Sequence, residues 1–217
     1  MTKMKMVLSG FFSAAMVMAG FSMAQEVTAP EAVQAAPARE IAAGPVGMKV
    51  SLPCKVHGDC EDEGEPPFIA SGWMGNAEAI EYDDCWKENP HNGESCIKVA
   101  FSDPKSWGGI VWQNPANNWG DDEGGVDLNG ARQLTFWARG DKGGEMVEFK
   151  MGIIAKNKPY WDTGKAGMGK VKLETAWKQY TIPLEGKNLS RVLSGFVFAV
   201  AGRPDPVTFY LDDIVYE

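Results

Sequence analysis

The sequence predicts an all-β fold, an antiparallel sandwich or barrel. Three observations predict it. Short runs of apolar, β-branched and aromatic residues are separated by Gly, Asn, Pro and Asp. No ten-residue stretch holds a clean 3.6-residue period. The 217 residues include eight Trp and 25 Gly but only nine Leu, the reverse of a helical composition.

The candidate strands, in order, are Ala79–Trp86, Ser95–Phe101, Gly109–Gln113, Arg132–Arg139, Glu145–Ile154, Lys170–Glu174, Lys178–Pro183, Gly195–Val200 and Thr208–Tyr216. Leu189–Leu193 reads as one helical turn. Many short strands without a strong helix define the class. One hairpin has a legible register. If Cys85 faces Cys96, Asp83 faces Lys98 on the same side, and Ile80, Tyr82, Ile97, Val99 and Phe101 form the opposite, buried face. The loop Lys87–Glu94 carries Asn89-Pro90-His91-Asn92-Gly93, a turn sequence.

Residues 1–24 read as a signal peptide. Lys3 and Lys5 precede an uncharged, mostly apolar run from Met6 to Phe21, and Ser22-Met23-Ala24 supplies small residues before a cut at Gln25. That run is at the short end for a membrane span, and no later stretch is long enough for one. The expected product is periplasmic or secreted. Residues 25–67 read as a flexible Ala/Pro-rich spacer followed by a Cys-clipped loop, and 68–217 as the folded domain. Removing Lys3 and Lys5 leaves 19 basic against 29 acidic residues, a charge of −10. That charge is a poor match for nucleic acid. Two His exclude a His-rich metal centre, and both His57 and His91 are assigned to loops.

Export permits disulfides. Four Cys allow three pairings. Proximity in sequence favours Cys54–Cys60 and Cys85–Cys96 over a zinc site, which calls for closer spacing.

The tryptophans divide. Trp86, Trp137 and Trp177 read as packing residues: Trp137 lies on the face opposite Leu134 and Phe136, and Trp177 closes a strand end against the core. Trp73, Trp107, Trp112, Trp119 and the pair Tyr160-Trp161 neighbour Gly, Asn, Asp and Pro. An exposed ring beside amides and carboxylates suits a sugar, whose C–H face lies on the ring while polar groups fix the hydroxyls. Gln113 and Asn118 are the polar candidates beside these rings. On this reading Trp107, Trp112, Tyr160 and Trp161 share one open platform.

Trp107-Gly108-Gly109-Ile110-Val111-Trp112-Gln113, Pro115-Ala116-Asn117-Asn118-Trp119-Gly120, Leu134-Thr135-Phe136-Trp137-Ala138-Arg139-Gly140 and Phe209-Tyr210-Leu211-Asp212-Asp213-Ile214 together resemble a carbohydrate-binding module of the galactose-binding-like jelly-roll superfamily, nearest to family 11 modules and the CIA30-type domain. The resemblance covers nearly all of 68–217. It implies an antiparallel jelly-roll β-sandwich, a polysaccharide or glycan ligand held by aromatics, and a structural Ca²⁺ with Asp212 as ligand. Phe68-Ile69-Ala70-Ser71 departs from it by lacking the acidic residues of many first strands, and Val111 stands where relatives carry an aromatic. The CIA30-type likeness also implies an alternative, an assembly protein that meets a partner through the spacer. A glycoside hydrolase or polysaccharide lyase is the third reading. Its carboxylates would have to come from Asp83-Asp84, Asp121-Asp122 or Asp212-Asp213, and adjacent acids in a strand point to opposite faces.

Overall fold

The computed structural model describes residues 47–60 and 66–217. The proposed signal peptide and most of the spacer lie outside the described residues. Two antiparallel sheets are present. One has five strands in the order β10 (Ala166–Lys172), β9 (Met146–Met151), β12 (Ser194–Ala201), β6 (Trp107–Gln113) and β3 (Ile69–Gly75). The other is built on β11 (Lys178–Pro183), β8 (Gln133–Gly140), β13 (Val207–Tyr216), β5 (Cys96–Phe101) and β4 (Ile80–Trp86), with β2 (Cys54–His57) also paired to β13. A short parallel pair joins β1 (Met48–Lys49) to β7 (Val126–Asp127).

The strands alternate, and the alternation makes the core. In β6, Ile110 and Trp112 enter the shared core, while Trp107, Gly109, Val111 and Gln113 belong to the outer face. In β9, Val147, Phe149 and Met151 point in, and Met146, Glu148 and Lys150 belong to the outer face. Rings join the two sheets: Phe136 of β8 lies 4.7 Å from Phe149 and 5.1 Å from Phe196 of β12, and Phe198 lies 5.2 Å edge-on to Phe209 of β13. Such pairs add to the burial that drives the sandwich together.

The predicted hairpin holds at one end. Ile80 pairs with Phe101, Tyr82 with Val99 and Asp83 with Lys98. A bulge between Asp83 and Trp86 then shifts the register, so Trp86, not Cys85, faces Cys96. That extra residue overturns both expected disulfides. Cys85 instead bonds to Cys60, with Cα atoms 5.3 Å apart, and Cys54 and Cys96 are buried free thiols. Cys54 is a ladder residue of β2 opposite Tyr216, and its expected partner Cys60 is taken by Cys85. Pairing of β2 with β13 also places residues N-terminal to Phe68 inside the sheet, so the boundary drawn at that residue falls within the fold. His57 accordingly ends a strand, while His91 does sit in a loop. Leu189–Leu193 forms no helical turn: it runs irregularly, and Val192 bridges to Val126.

Burial pushes the Cys54 thiol up to about 11 and the Cys96 thiol up to about 12. Both should therefore be inert in the native state. Thiol titration of the folded protein should find no fast-reacting group, and titration in guanidinium should find two. Peptide mapping without reduction should recover a Cys60–Cys85 linked pair.

Candidate functional site

The outer face of the five-stranded sheet is divided. Its upper part is covered by the protein's own loops. The Ser71 hydroxyl donates to Gln113 Oε1 (3.0 Å) and accepts from the Asn117 amide (2.9 Å). Gln113 Nε2 donates to the Asn118 carbonyl (2.9 Å), and Asn118 Oδ1 accepts from the Gly120 amide (2.9 Å). Gln113 and Asn118 are buried and engaged in holding the 114–124 loop. The 152–163 loop is tied down beside it by buried Asp162. That carboxylate accepts from the amides of Ile154 (2.8 Å), Leu193 (2.6 Å) and Ser194 (3.1 Å), and from the Ser194 hydroxyl.

These contacts decide the fate of the expected platform. Trp112 is 1% exposed in the core, edge-on to Phe196 at 5.4 Å. Tyr160 and Trp161 are half-buried, with the Arg191 guanidinium 4.7 Å from the Trp161 ring and 5.9 Å from the Tyr160 ring. Trp119 is half-buried in the loop after Asn118. Trp73 is 41% exposed, but it pairs with core-facing Ile110 and stands edge-on to Tyr82 at 6.0 Å, so it guards the seam between the sheets. Of the set, Trp107 alone combines wide exposure, 49%, with the outer face.

Trp107 borders a groove of about 480 Å³. Small residues make the floor: Ala199 pairs with Gly109, and Ala201 with Trp107. A side chain on Gly109 would collide with the Phe198 carbonyl. Met146, Glu148 and Lys170 form the far wall, and Gly202 and Arg203 close one end. Sequence reading passed over these wall residues, although the alternation of Met146-Val147-Glu148-Phe149-Lys150-Met151 was a signal for them.

Trp107 is aimed by the loop before it. Asp103 accepts from Ser106 Oγ (2.5 Å), the Lys105 amide (2.9 Å) and Asn76 Nδ2 (2.7 Å). The Ser106 carbonyl accepts from the Gly202 amide (2.9 Å), and the Trp107 carbonyl from the Asn76 amide (2.8 Å). The Ser106 hydroxyl first, then the Lys105 amide and Asn76, hold the Asp103 carboxyl down to about 2.

The other outer face, on the six-stranded sheet, is aromatic but already occupied. His91 stacks on Trp137 at 3.7 Å and meets Trp177 edge-on at 6.1 Å. Arg139 lies 3.7 Å over Tyr210 and 5.3 Å from Trp177, and Lys98 lies 3.6 Å over Trp86. Trp137 does lie opposite Leu134 and Phe136, as its sequence position implied. Trp177 does not close onto the core: its indole N–H donates to the Asn89 carbonyl (3.0 Å) of the 87–94 loop.

Asp212 anchors that loop. Its Oδ2 accepts from the amides of His91 (2.9 Å) and Asn92 (3.3 Å), and its Oδ1 from the Asp213 amide (2.8 Å). Burial raises this carboxyl above its ordinary range, against the pull of the amides. His91 Nδ1 lies 3.0 Å from Asp213 Oδ2, which brings His91, Asp212 and Asp213 into one group. Calcium takes six to eight oxygens. Three N–H groups aimed at one carboxylate, with an imidazole beside it, do not fit that ion.

No family model matches the chain, and no curated protein is significantly similar to it. Solved structures are similar in fold. A family 30 carbohydrate-binding module superposes with a TM-score of 0.52 at 17% identity, over 77% of this chain and 99% of that one. A family 30 module of a cellulosomal cellulase of Clostridium thermocellum gives 0.49 at 18% identity, over 77% and 98%. A family 11 module of another cellulosomal cellulase of the same organism gives 0.43 at 13%, over 80% and 95%. The fold is that of the β-sandwich carbohydrate-binding modules.

Two outcomes follow from these contacts. Asp103 stabilises its loop fully above the ordinary carboxylate value of ~4, and that contribution is lost as pH falls through about 2. NMR titration should show the Lys105 and Ser106 amides moving with a midpoint near that value, and Asp103→Asn should abolish the transition. Asp212→Ala leaves the part-buried amides of His91, Asn92 and Asp213 without this acceptor and should lower unfolding free energy by ~1–3 kcal/mol in urea. Adding calcium to the wild type should leave its midpoint unchanged.

Proposed function

We propose that this is an exported, non-catalytic glycan-binding protein, and that a sugar docks in the groove beside Trp107. The observation that carries the reading is the half-exposed Trp107 ring beside a floor of Ala199 and Ala201. Backbone and methyl groups leave the indole clear, so the C–H face of a pyranose has room to lie against it. Glu148, Lys170 and Arg203 supply donors and acceptors for the hydroxyls around the rim. The likeness in fold to carbohydrate-binding modules agrees with this use.

Catalysis finds less support there. Hydrolysis of a glycoside normally takes two carboxylates across the scissile bond. Among the described residues lining the groove, Glu148 is the one acid, and Lys150 Nζ pairs with it at 3.1 Å. Export is supported by the N-terminal segment and by the Cys60–Cys85 bond, which suits an oxidising compartment.

Affinity electrophoresis against a panel of soluble polysaccharides tests the reading. Trp107→Ala should weaken retardation about tenfold, the loss expected for one stacking ring, with an unchanged unfolding midpoint. Trp73→Ala, on the other side of the same sheet, should bind as wild type does. Equal retardation of the Trp107 variant would remove the groove from the account.

A further inference from the structure

The charge around the groove opposes the charge of the chain. The full sequence carries 21 basic and 29 acidic residues, a net −8. On the outer face of the five-stranded sheet the balance reverses. Alternation in β9 and β10 places Lys150, Lys170 and Lys172 on the face that carries Glu148, and Arg203 closes the groove's end. Four cations thus stand with one carboxylate.

That carboxylate is already engaged by Lys150. Lys170 and Lys172 have no ion-pair partner among the described residues. Arg203 Nη1 donates to the Gly144 carbonyl (2.8 Å), a neutral acceptor that holds the guanidinium without cancelling its charge. Asp103, on the loop behind Trp107, accepts from neutral donors of Ser106, Lys105 and Asn76 and so keeps its charge, but it does not line the groove. Two further acids are near in sequence: Asp205, two residues beyond Arg203 in an exposed loop, and Glu145, which is buried beside Gly144 and accepts from the Lys142 amide. Elsewhere, Lys98 and Arg139 lie over rings and Lys158 and Lys178 pair with Asp121 and Glu174, while Lys156 and Lys187 are exposed cations outside the groove.

Keeping unpaired cations together on one face of an acidic protein costs self-repulsion, and an anionic ligand relieves it. Arg is suited to binding a carboxylate or sulfate by two N–H groups, and Lys adds a point charge. From this we infer that the glycan bound at Trp107 is acidic, its sugars carrying carboxylate or sulfate groups that meet Lys170, Lys172 and Arg203. The inference rests on the glycan-binding reading of the same groove and adds the class of sugar.

The test uses the full exported chain and paired polymers: polygalacturonate with its carboxyl-reduced form, and dextran sulfate with dextran. Affinity electrophoresis at low and high salt is run on wild type, on Lys170→Gln with Arg203→Gln, on Trp107→Ala, and on a control with Lys156→Gln and Lys187→Gln outside the groove. At least one charged polymer should bind wild type about tenfold more tightly than its neutral partner, and salt should erode the difference. The groove double variant should lose most of that preference, Trp107→Ala should weaken binding to the charged polymer, and the control should do neither. Whichever charged polymer is preferred identifies the group as carboxylate or sulfate. Equal binding of neutral partners, with the groove double variant unaffected, would overturn the acidic-sugar inference and leave the glycan site standing. Charged polymers held equally by Trp107→Ala would mean simple ion exchange and overturn it too. No retardation by any polymer, these or a wider neutral panel, would overturn both readings.

Discussion

The structure depends on the two-residue period of β6. From one stretch, Trp107–Gln113, the strand sends Ile110 and Trp112 into the core and leaves Trp107, Gly109, Val111 and Gln113 on the outside. A slip of one residue would bury the exposed ring and expel the core ring together. Trp112 prevents that slip, because it is packed edge-on by Tyr82 of β4 and by Phe196 and Phe198 of β12. The ring that stabilises the sandwich therefore sets the position of the exposed ring that is proposed to meet a ligand. Gly109 adds the second requirement, since a side chain there would collide with the Phe198 carbonyl of the neighbouring strand.

The two outer faces use aromatic residues differently. On the six-stranded sheet, rings are saturated from within by Lys98, Arg139 and His91, and the 87–94 loop is pinned over them by Asp212. That arrangement spends cation–π and stacking energy on the fold. On the five-stranded sheet, loops held by Gln113, Asn118 and Asp162 cover one part and stop short of Trp107. The proposed ligand surface is what the loops leave open.

Much of the fold was legible in the sequence because it rests on local alternation. The register of Asp83 with Lys98, the outward side of Trp137 and the all-β class came from such patterns. What failed were features set by tertiary contacts. A single bulge after Asp83 redirected Cys85 to Cys60, and nothing local announces a bulge in Asp83-Asp84-Cys85-Trp86. β3 is absent from the strands read by alternation because Gly72 and Gly75 interrupt its apolar pattern, and only the family resemblance placed a first strand at Phe68–Ser71. The site was half legible. The exposure of Trp107 was read correctly, but polar neighbours were read as exposure for other residues too. For Trp112, Gln113 and Asn118 they meant instead a loop folded back and hydrogen-bonded to the sheet. Wall residues from β9, β10 and β12 are brought together by pairing across distant segments, which composition does not reveal.

The central claim is that ligand contact runs through Trp107 on the five-stranded face. The eight indole N–H resonances report it directly during an oligosaccharide titration followed by ¹⁵N-resolved NMR. The account predicts that the Trp107 signal shifts progressively to saturation while those of Trp112, Trp137 and Trp177 stay in place. Saturable shifts confined to Trp137 and Trp177, with Trp107 unmoved, would contradict it and transfer the site to the opposite face.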